Sequence, residues 1–278
     1  MPIIENELLK VEASLQGGEL LHVISKLDNQ ELLYQANEEW KHHDVVLFPF
    51  IGPDSHYVID GKELGCPTQH GFIREATFTL IELTSNKMVM EFSDNEETFK
   101  SYPFHFTLRA TYSLDGNSLK REYDVINKND AELPFQLGDH PGFIVEFGKA
   151  VLHLGKGNIY YYPRKNMKFL AQPISFLEDK DYLLKKEDFA KYDTILIEKP
   201  QENLKLDTGV GYSLEYHYNC PFIAIWSPAK ESSFVCVEPW WGMAIYEGRD
   251  EEMRNWKDIN SASKNLHFED AISFSKTK

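Results

Sequence analysis

Residues 104–114 alternate without a break, with Phe104, Phe106, Leu108, Ala110, Tyr112 and Leu114 set against His105, Thr107, Arg109, Thr111 and Ser113. A side-chain period of two belongs to a strand with one buried and one wet face, and a helix cannot satisfy it. Asp115-Gly116-Asn117 then turns the chain into a partner strand over residues 119–126. The pattern recurs elsewhere. Gln16-Gly17-Gly18 separates two apolar-rich runs at 8–14 and 19–25, and Asp60-Gly61 sits inside 57–64 as a two-residue hairpin signal. Further strands are expected at 77–83, 87–92, 151–154, 194–198, 211–217, 222–226 and 266–274. Helical pattern is scarce: only 183–191 and 250–256 suit two or three turns. Parallel βαβ units need long amphipathic helices between strands, and none is visible. The expected class is therefore all-β and antiparallel, a sandwich or barrel.

No linker, repeat or low-complexity tract divides residues 1–278, so one domain is expected. Residues 156–191, rich in Tyr, Lys and Pro, read as a long excursion, with a turn at Gly155-Lys156-Gly157-Asn158. The composition, 42% hydrophobic and 26% charged, supports a full core. A formal charge of −15 opposes binding to nucleic acid or to anionic membranes. Cys66, Cys220 and Cys236 are odd in number and scattered, so they offer neither a disulfide framework nor a paired metal motif. The start lacks the basic and apolar regions of a signal peptide, and no apolar run approaches the roughly 20 residues of a membrane span. A cytoplasmic location is expected.

The chemistry concentrates in Phe234-Val-Cys-Val-Glu-Pro-Trp-Trp-Gly242. Phe234, Cys236 and Glu238 share one face of a strand, Val235 and Val237 the other, and Pro239 is expected to end the pairing. Glu238 beside Trp240 and Trp241 reads either as a salt bridge or cap at a strand end, or as a general base in a cleft. Two histidines sit at apparent strand ends, His70 in PTQHGF and His140 in LGDHPGF. Gln136, Gly138 and His140 fall on one face, a poor core surface and a plausible cleft floor. Each histidine reads as a turn cap or as a site residue, and the glycine beside it lets a ligand approach the backbone. His42 and His43 are adjacent and would point to opposite sides of a strand.

Phosphate-loop, dinucleotide and nucleophile-elbow fingerprints are absent. His70, His140 and Glu238 could ligate zinc or iron, but no HExxH, HxH or CxxC accompanies them, so a metal-free site without cofactor is expected.

LFPFIG at 47–52, QHGF at 69–72, HPGF at 140–143 and VEPW at 237–240, in that order, resemble the aldose 1-epimerase (galactose mutarotase) family, and within it the lactose-operon-associated LacX-like branch. The likeness runs from Ile4 to about Phe274. It implies an antiparallel β-supersandwich with an open sugar cleft, acting on a monosaccharide as monomer or homodimer. Mutarotation opens a pyranose ring and recloses it on the other face. It needs a base at the anomeric hydroxyl and an acid at the ring oxygen. The resemblance implies Glu238 as base, His140 as acid and His70 as a hydrogen-bonding stabiliser, with Glu238 holding His140 protonated. It implies Asp193, Arg74, Gln69 and Trp240 as sugar contacts, although Asp193 also reads as an exposed turn residue, Arg74 as a structural ion pair and Trp240 as core. One departure stands out: the family usually places an arginine directly after the FPxxG motif, whereas Gly52 is followed here by Pro53 and Asp54. A hexose-6-phosphate epimerase and a sugar-binding module without turnover are the alternatives on this scaffold.

Overall fold

The computed structural model describes residues 1–53, 56–66, 68–154, 160–162, 164–165, 168–172, 174–175, 181–198, 203–228 and 232–277. Asp54 and the turn read into Gly155-Lys156-Gly157-Asn158 lie outside them.

The strand alternation builds two large antiparallel sheets. The elements that position the site are β1 (Asp44–Leu47), β2 (Phe106–Asp115), β3 (Ser118–Asn127), β4 (Leu137–Ile144), β5 (Thr194–Glu198), β6 (Phe222–Trp226), β7 (Phe234–Trp241) and β8 (Asn265–Lys276). The nine-stranded sheet runs Asp181–Leu183, Val151–His153, Leu204–Asp207, Tyr212–Tyr218, β8, β3, β2, Lys87–Ser93, Thr79–Leu83. The seven-stranded sheet runs Ile174–Ser175, Tyr160–Tyr162, β5, β6, β7, β4, β1. The expected hairpins form: Leu9–Ala13 pairs with Leu20–Ser25, and His56–Ile59 with Lys62–Gly65 across Asp60-Gly61.

One connected apolar cluster, from Ile4 to Phe274, fills the space between the sheets. Alternation divides the smaller sheet strictly. Val46, Leu137, Phe143, Ile195, Ile197, Ile223, Ile225, Val235, Val237 and Trp241 enter this inner core. Val45, Leu47, Leu196, Phe222, Ala224 and Trp240 build a second cluster on the outer face. That outer face carries the site.

A buried ionic group ties the sheets together. Arg121 of β3, wholly buried, donates from Nε and Nη2 to the two carboxylate oxygens of Asp270 on β8, at 2.8 and 2.6 Å. Its Nη1 donates across the interface to Asp44 of β1 at 2.9 Å, and Nε lies 3.6 Å from Asp139 of β4. Tyr123 donates to Asp139 at 2.6 Å. Burial pushes the Asp139 carboxyl well above the ordinary carboxylate range against the pull of Arg121, with Asp44 and Asp270 adding to the rise. One guanidinium faces three carboxylates, and the protonated form of Asp139 relieves the excess negative charge.

Several expectations need correction. β7 does not stop at Pro239: it continues to Trp241, with Ile223 opposite Pro239 on β6. The outer face of β2 is drier than its alternation implies, because Thr107 and Thr111 are buried and Arg109 pairs with Glu91. Residues 250–256 make a single turn, Met253–Asn255, whereas Lys186–Tyr192 is a helix as expected. His42 and His43 lie outside any strand and approach one carboxylate, Glu19, at 3.9 and 2.9 Å.

Replacing Arg121 by Met strands buried carboxylates without their counter-charge. R121M is expected to lower unfolding free energy by about 3–5 kcal/mol in urea denaturation at neutral pH.

Candidate active site

Two prolines decide the local geometry. β4 and β7 pair at Leu137↔Trp241 and Gly138↔Trp240, then again from Gly142↔Cys236 to Ile144↔Phe234. The register is the same on both sides of the gap, so His140 stands across from Glu238. Pro141 and Pro239 lie within the gap, and neither can donate a backbone hydrogen bond. Alternation turns Asp139 inward to the Arg121 group and His140 outward. His140 Nε2 lies 3.3 Å from Glu238 Oε1, and Trp240 Nε1 donates to Glu238 Oε2 at 3.1 Å.

These groups sit at the floor of a cavity of about 300 Å³. All seven residues expected from sequence line it: Glu238, His140, His70, Asp193, Arg74, Gln69 and Trp240. Trp241, by contrast, faces the inner core and donates to Asn219.

His70 is held by its backbone. It adopts φ 61° and Gly71 φ 76°. A Cβ on Gly71 would lie 2.0 Å from the Phe48 carbonyl oxygen, so only glycine lets the two segments zip together. Gly52 N–H donates to His70 Nδ1 at 3.2 Å. Nδ1 is thus an acceptor, and Nε2 lies 3.0 Å from the Gln69 side-chain amide nitrogen.

The glycines of β4 serve a different purpose from the one sequence suggested. A Cβ on Gly138 would meet Trp240 at 2.8 Å, and one on Gly142 would meet Trp40 at 3.1 Å. Bare backbone there makes room for aromatic walls, not for a ligand. Gln136, on the same face, is wholly buried and structural: it accepts from Ile51 N–H at 2.9 Å and donates to the Met243 carbonyl at 2.5 Å.

Sequence reasoning missed Trp40, Trp226, Arg164, Phe169 and Thr194. Trp40 stacks on the His140 ring, centroids 4.9 Å apart at 29°, and Trp226 meets it edge-on at 5.6 Å. Arg164 and Phe169 come from the central excursion. Arg164 pairs with Asp193, which closes the Lys186–Tyr192 helix with φ 60°, and donates to Thr194 at 2.8 Å. A guanidinium thus reaches the cavity although none follows Gly52. Arg74 lines it too, and has no carboxylate partner among the described residues; its Nε is buried without a hydrogen bond.

Burial sets the electrostatics. It pushes Glu238, 1% exposed, well above the usual carboxylate range, against the pulls of the Trp240 hydrogen bond and Arg164. It pushes His140 down to about 3, and His70 well below the ordinary imidazole range, with the other histidine and Arg74 adding to the drop in His70. This corrects the expectation that Glu238 holds His140 protonated. Both shifts favour the neutral arrangement of the pair, a protonated Glu238 beside a neutral imidazole.

The chain matches the sequence profile of the aldose 1-epimerases over residues 3–250. It belongs to the aldose 1-epimerase family and is an isomerase. The protein LacX (plasmid) of Lactococcus lactis subsp. lactis is 27% identical over 263 residues, 87% of each chain. A galactose mutarotase related enzyme from Lactobacillus acidophilus superposes with a TM-score of 0.94 at 29% identity, covering 99% of this chain and 97% of that one. A galactose 1-epimerase from L. acidophilus NCFM shares the fold, with a TM-score of 0.78 at 13% identity over 99% and 94% of the two chains. The all-β, antiparallel architecture is thus that of galactose mutarotase-like proteins. Among the described residues of this epimerase-family chain, no helix is long and apolar enough to cross a membrane.

Because the folded pKa of His140 lies near 3 and the unfolded value near 6.5, the unfolded chain binds more protons between them. Stability is expected to fall as pH drops through this window. Thermal melts at pH 7 and pH 4.5 should show a smaller acid loss for H140N and for H70N than for the unmodified protein.

Proposed function

We propose that this aldose 1-epimerase family member interconverts the α and β anomers of a hexose of galactose or glucose type, with Glu238 as base and His140 as acid. The observation that carries the reading is the Glu238–His140 pair, 3.3 Å apart at the floor of an open polar cavity. In the productive proton arrangement Glu238 is a carboxylate and His140 an imidazolium. Glu238 takes the proton from the anomeric hydroxyl as the bond from C1 to the ring oxygen breaks. His140 gives its proton to that ring oxygen. The products are an open-chain aldehyde, a protonated Glu238 and a neutral His140. Rotation about the C1–C2 bond presents the other aldehyde face, and the two transfers reverse. The total proton count never changes.

Once the charged pair is formed, burial favours the first half of this cycle twice over. A carboxylate whose pKa is raised is a stronger base, and an imidazolium whose pKa is lowered is a stronger acid. Both shifts follow from the same dry floor. We assign His70, which lines the cavity beside Gln69, to the oxygen on which charge develops. Asp193 and Arg164 form a polar edge for ring hydroxyls, while Trp240 supplies an apolar wall for a sugar face. An acidic chain with three free cysteines fits a reducing compartment such as the cytoplasm.

E238Q is expected to abolish acceleration of anomer exchange by fresh α-galactose or α-glucose, read by polarimetry or NMR exchange. H140N is expected to reduce it by about 10²–10⁴-fold. Sugar binding by calorimetry with no exchange in the unmodified protein identifies a binding module and defeats the catalytic reading.

The Arg74 guanidinium, facing the cavity with no carboxylate partner among the described residues, favours a second reading in which the hexose carries a phosphate. On that reading R74M raises KM for a hexose 6-phosphate at least about tenfold and leaves the free sugar unaffected.

A further inference from the structure

Cys236 lies on the outer face of β7, two residues before Glu238, and its side chain is wholly buried against Tyr34 and Phe234. The function proposed above does not use it. Yet one donor atom from each of His140, Cys236 and Glu238 lies within 4.8 Å of the others. His70, the second histidine of the metal set conceivable from sequence, does not join this group. The other nitrogen of the same ring, His140 Nδ1, is buried and makes no hydrogen bond among the described residues.

We propose that His140, Cys236 and Glu238 form a binding site for a thiophilic divalent cation of the zinc type, and that the bound ion shuts off turnover by occupying both proton carriers. The binding half stands on the donor set alone; the inhibitory half rests on the functional reading above.

One thiolate, one imidazole and one carboxylate are a donor set that suits Zn²⁺, which takes bonds of about 2.0–2.3 Å to such ligands in tetrahedral array. Donors already within 4.8 Å need close by only about 1 Å to reach that geometry. Two of the three sit on opposite strands locked in one register, so little backbone ordering remains to be done. Two of the three donor residues, His140 and Glu238, line the cavity, from which a water or sugar oxygen would complete the shell. Binding displaces the thiol proton of Cys236 and the proton shared by Glu238 and His140, both released to solvent. The ion then holds the electron pairs that the epimerase cycle needs for proton transfer.

The other metal-like group, Glu122, His267 and Glu269, lies on the surface of the larger sheet. The Lys120 ammonium already bridges its carboxylates at 3.0 and 2.7 Å, so it serves as the control.

The test uses chelator-treated protein titrated with Zn²⁺ by calorimetry and with Co²⁺ by absorption, beside anomer exchange at each metal concentration. A cobalt–thiolate charge-transfer band is expected, with one ion per chain at the Cys236 site. C236A should keep its turnover, lose that band and raise the inhibitory Zn²⁺ concentration at least about tenfold. H267A should change neither. Undiminished inhibition of C236A, relief of inhibition by H267A, or a cobalt spectrum without the thiolate band overturns the site. Stoichiometric metal whose removal abolishes turnover overturns the inhibitory role. Should C236A fail to fold, the cobalt spectrum of the unmodified protein decides. Should the protein show no turnover, the two titrations still decide binding.

Discussion

Arg121 sets the relation between the two sheets. It is wholly buried, bidentate to Asp270 within its own sheet and bonded to Asp44 across the gap. A buried guanidinium tolerates little displacement, because any shift leaves charge without a partner in a medium that solvates it poorly. Asp139 stands at the edge of this group, and the next residue is His140. The acid of the proposed cycle is thus placed by an ionic cluster on the opposite face of its own strand. A one-residue slip of β4 would turn His140 inward and Asp139 outward, breaking both arrangements together.

The Glu238–His140 pair illustrates how burial and chemistry coincide. Glu238 and His140 face each other across a stretch where β4 and β7 each carry a proline and the ladder lapses. The neutral arrangement, protonated Glu238 beside a neutral imidazole, is the one the dry floor favours, and it is also the state reached when the ring has opened. Desolvation therefore lowers the cost of the intermediate relative to the charged starting pair. The Trp240 N–H and the more distant Arg164 moderate the effect on the carboxylate. Trp40, stacked on His140, fixes the ring plane so that Nε2 stays aimed at Glu238.

Much of this was legible in the chain. The unbroken alternation of residues 104–114 and the Asp60-Gly61 hairpin are local signals, and the structure realises them as β2 and as the His56–Ile59 and Lys62–Gly65 pair. The motifs QHGF, HPGF and VEPW marked the cavity residues because each is a short backbone device that aims one side chain. Trp40 and Arg164 carried no such mark: the first lies in a loop, the second in an excursion whose path depends on the helix and β5 it returns to. The Pro239 stop failed because the local rule counts donors, whereas β7 is held from both sides by neighbours on β4 and β6. The protonation of His140 was misjudged for a related reason, since a neighbouring carboxylate is visible in a motif but desolvation is not.

By itself the sequence determined the all-β class, the antiparallel hairpins and which residue types face one another along each strand, because alternation and turn chemistry act over a few residues. It also determined, through four motifs, membership of the aldose 1-epimerase family. Only the tertiary structure decided that Glu238 and His140 meet at 3.3 Å, that Arg164 reaches the cavity from the central excursion, and that Cys236 stands beside the pair. Those facts depend on the register between strands far apart in the chain and on the exclusion of water, and neither is encoded in any local stretch.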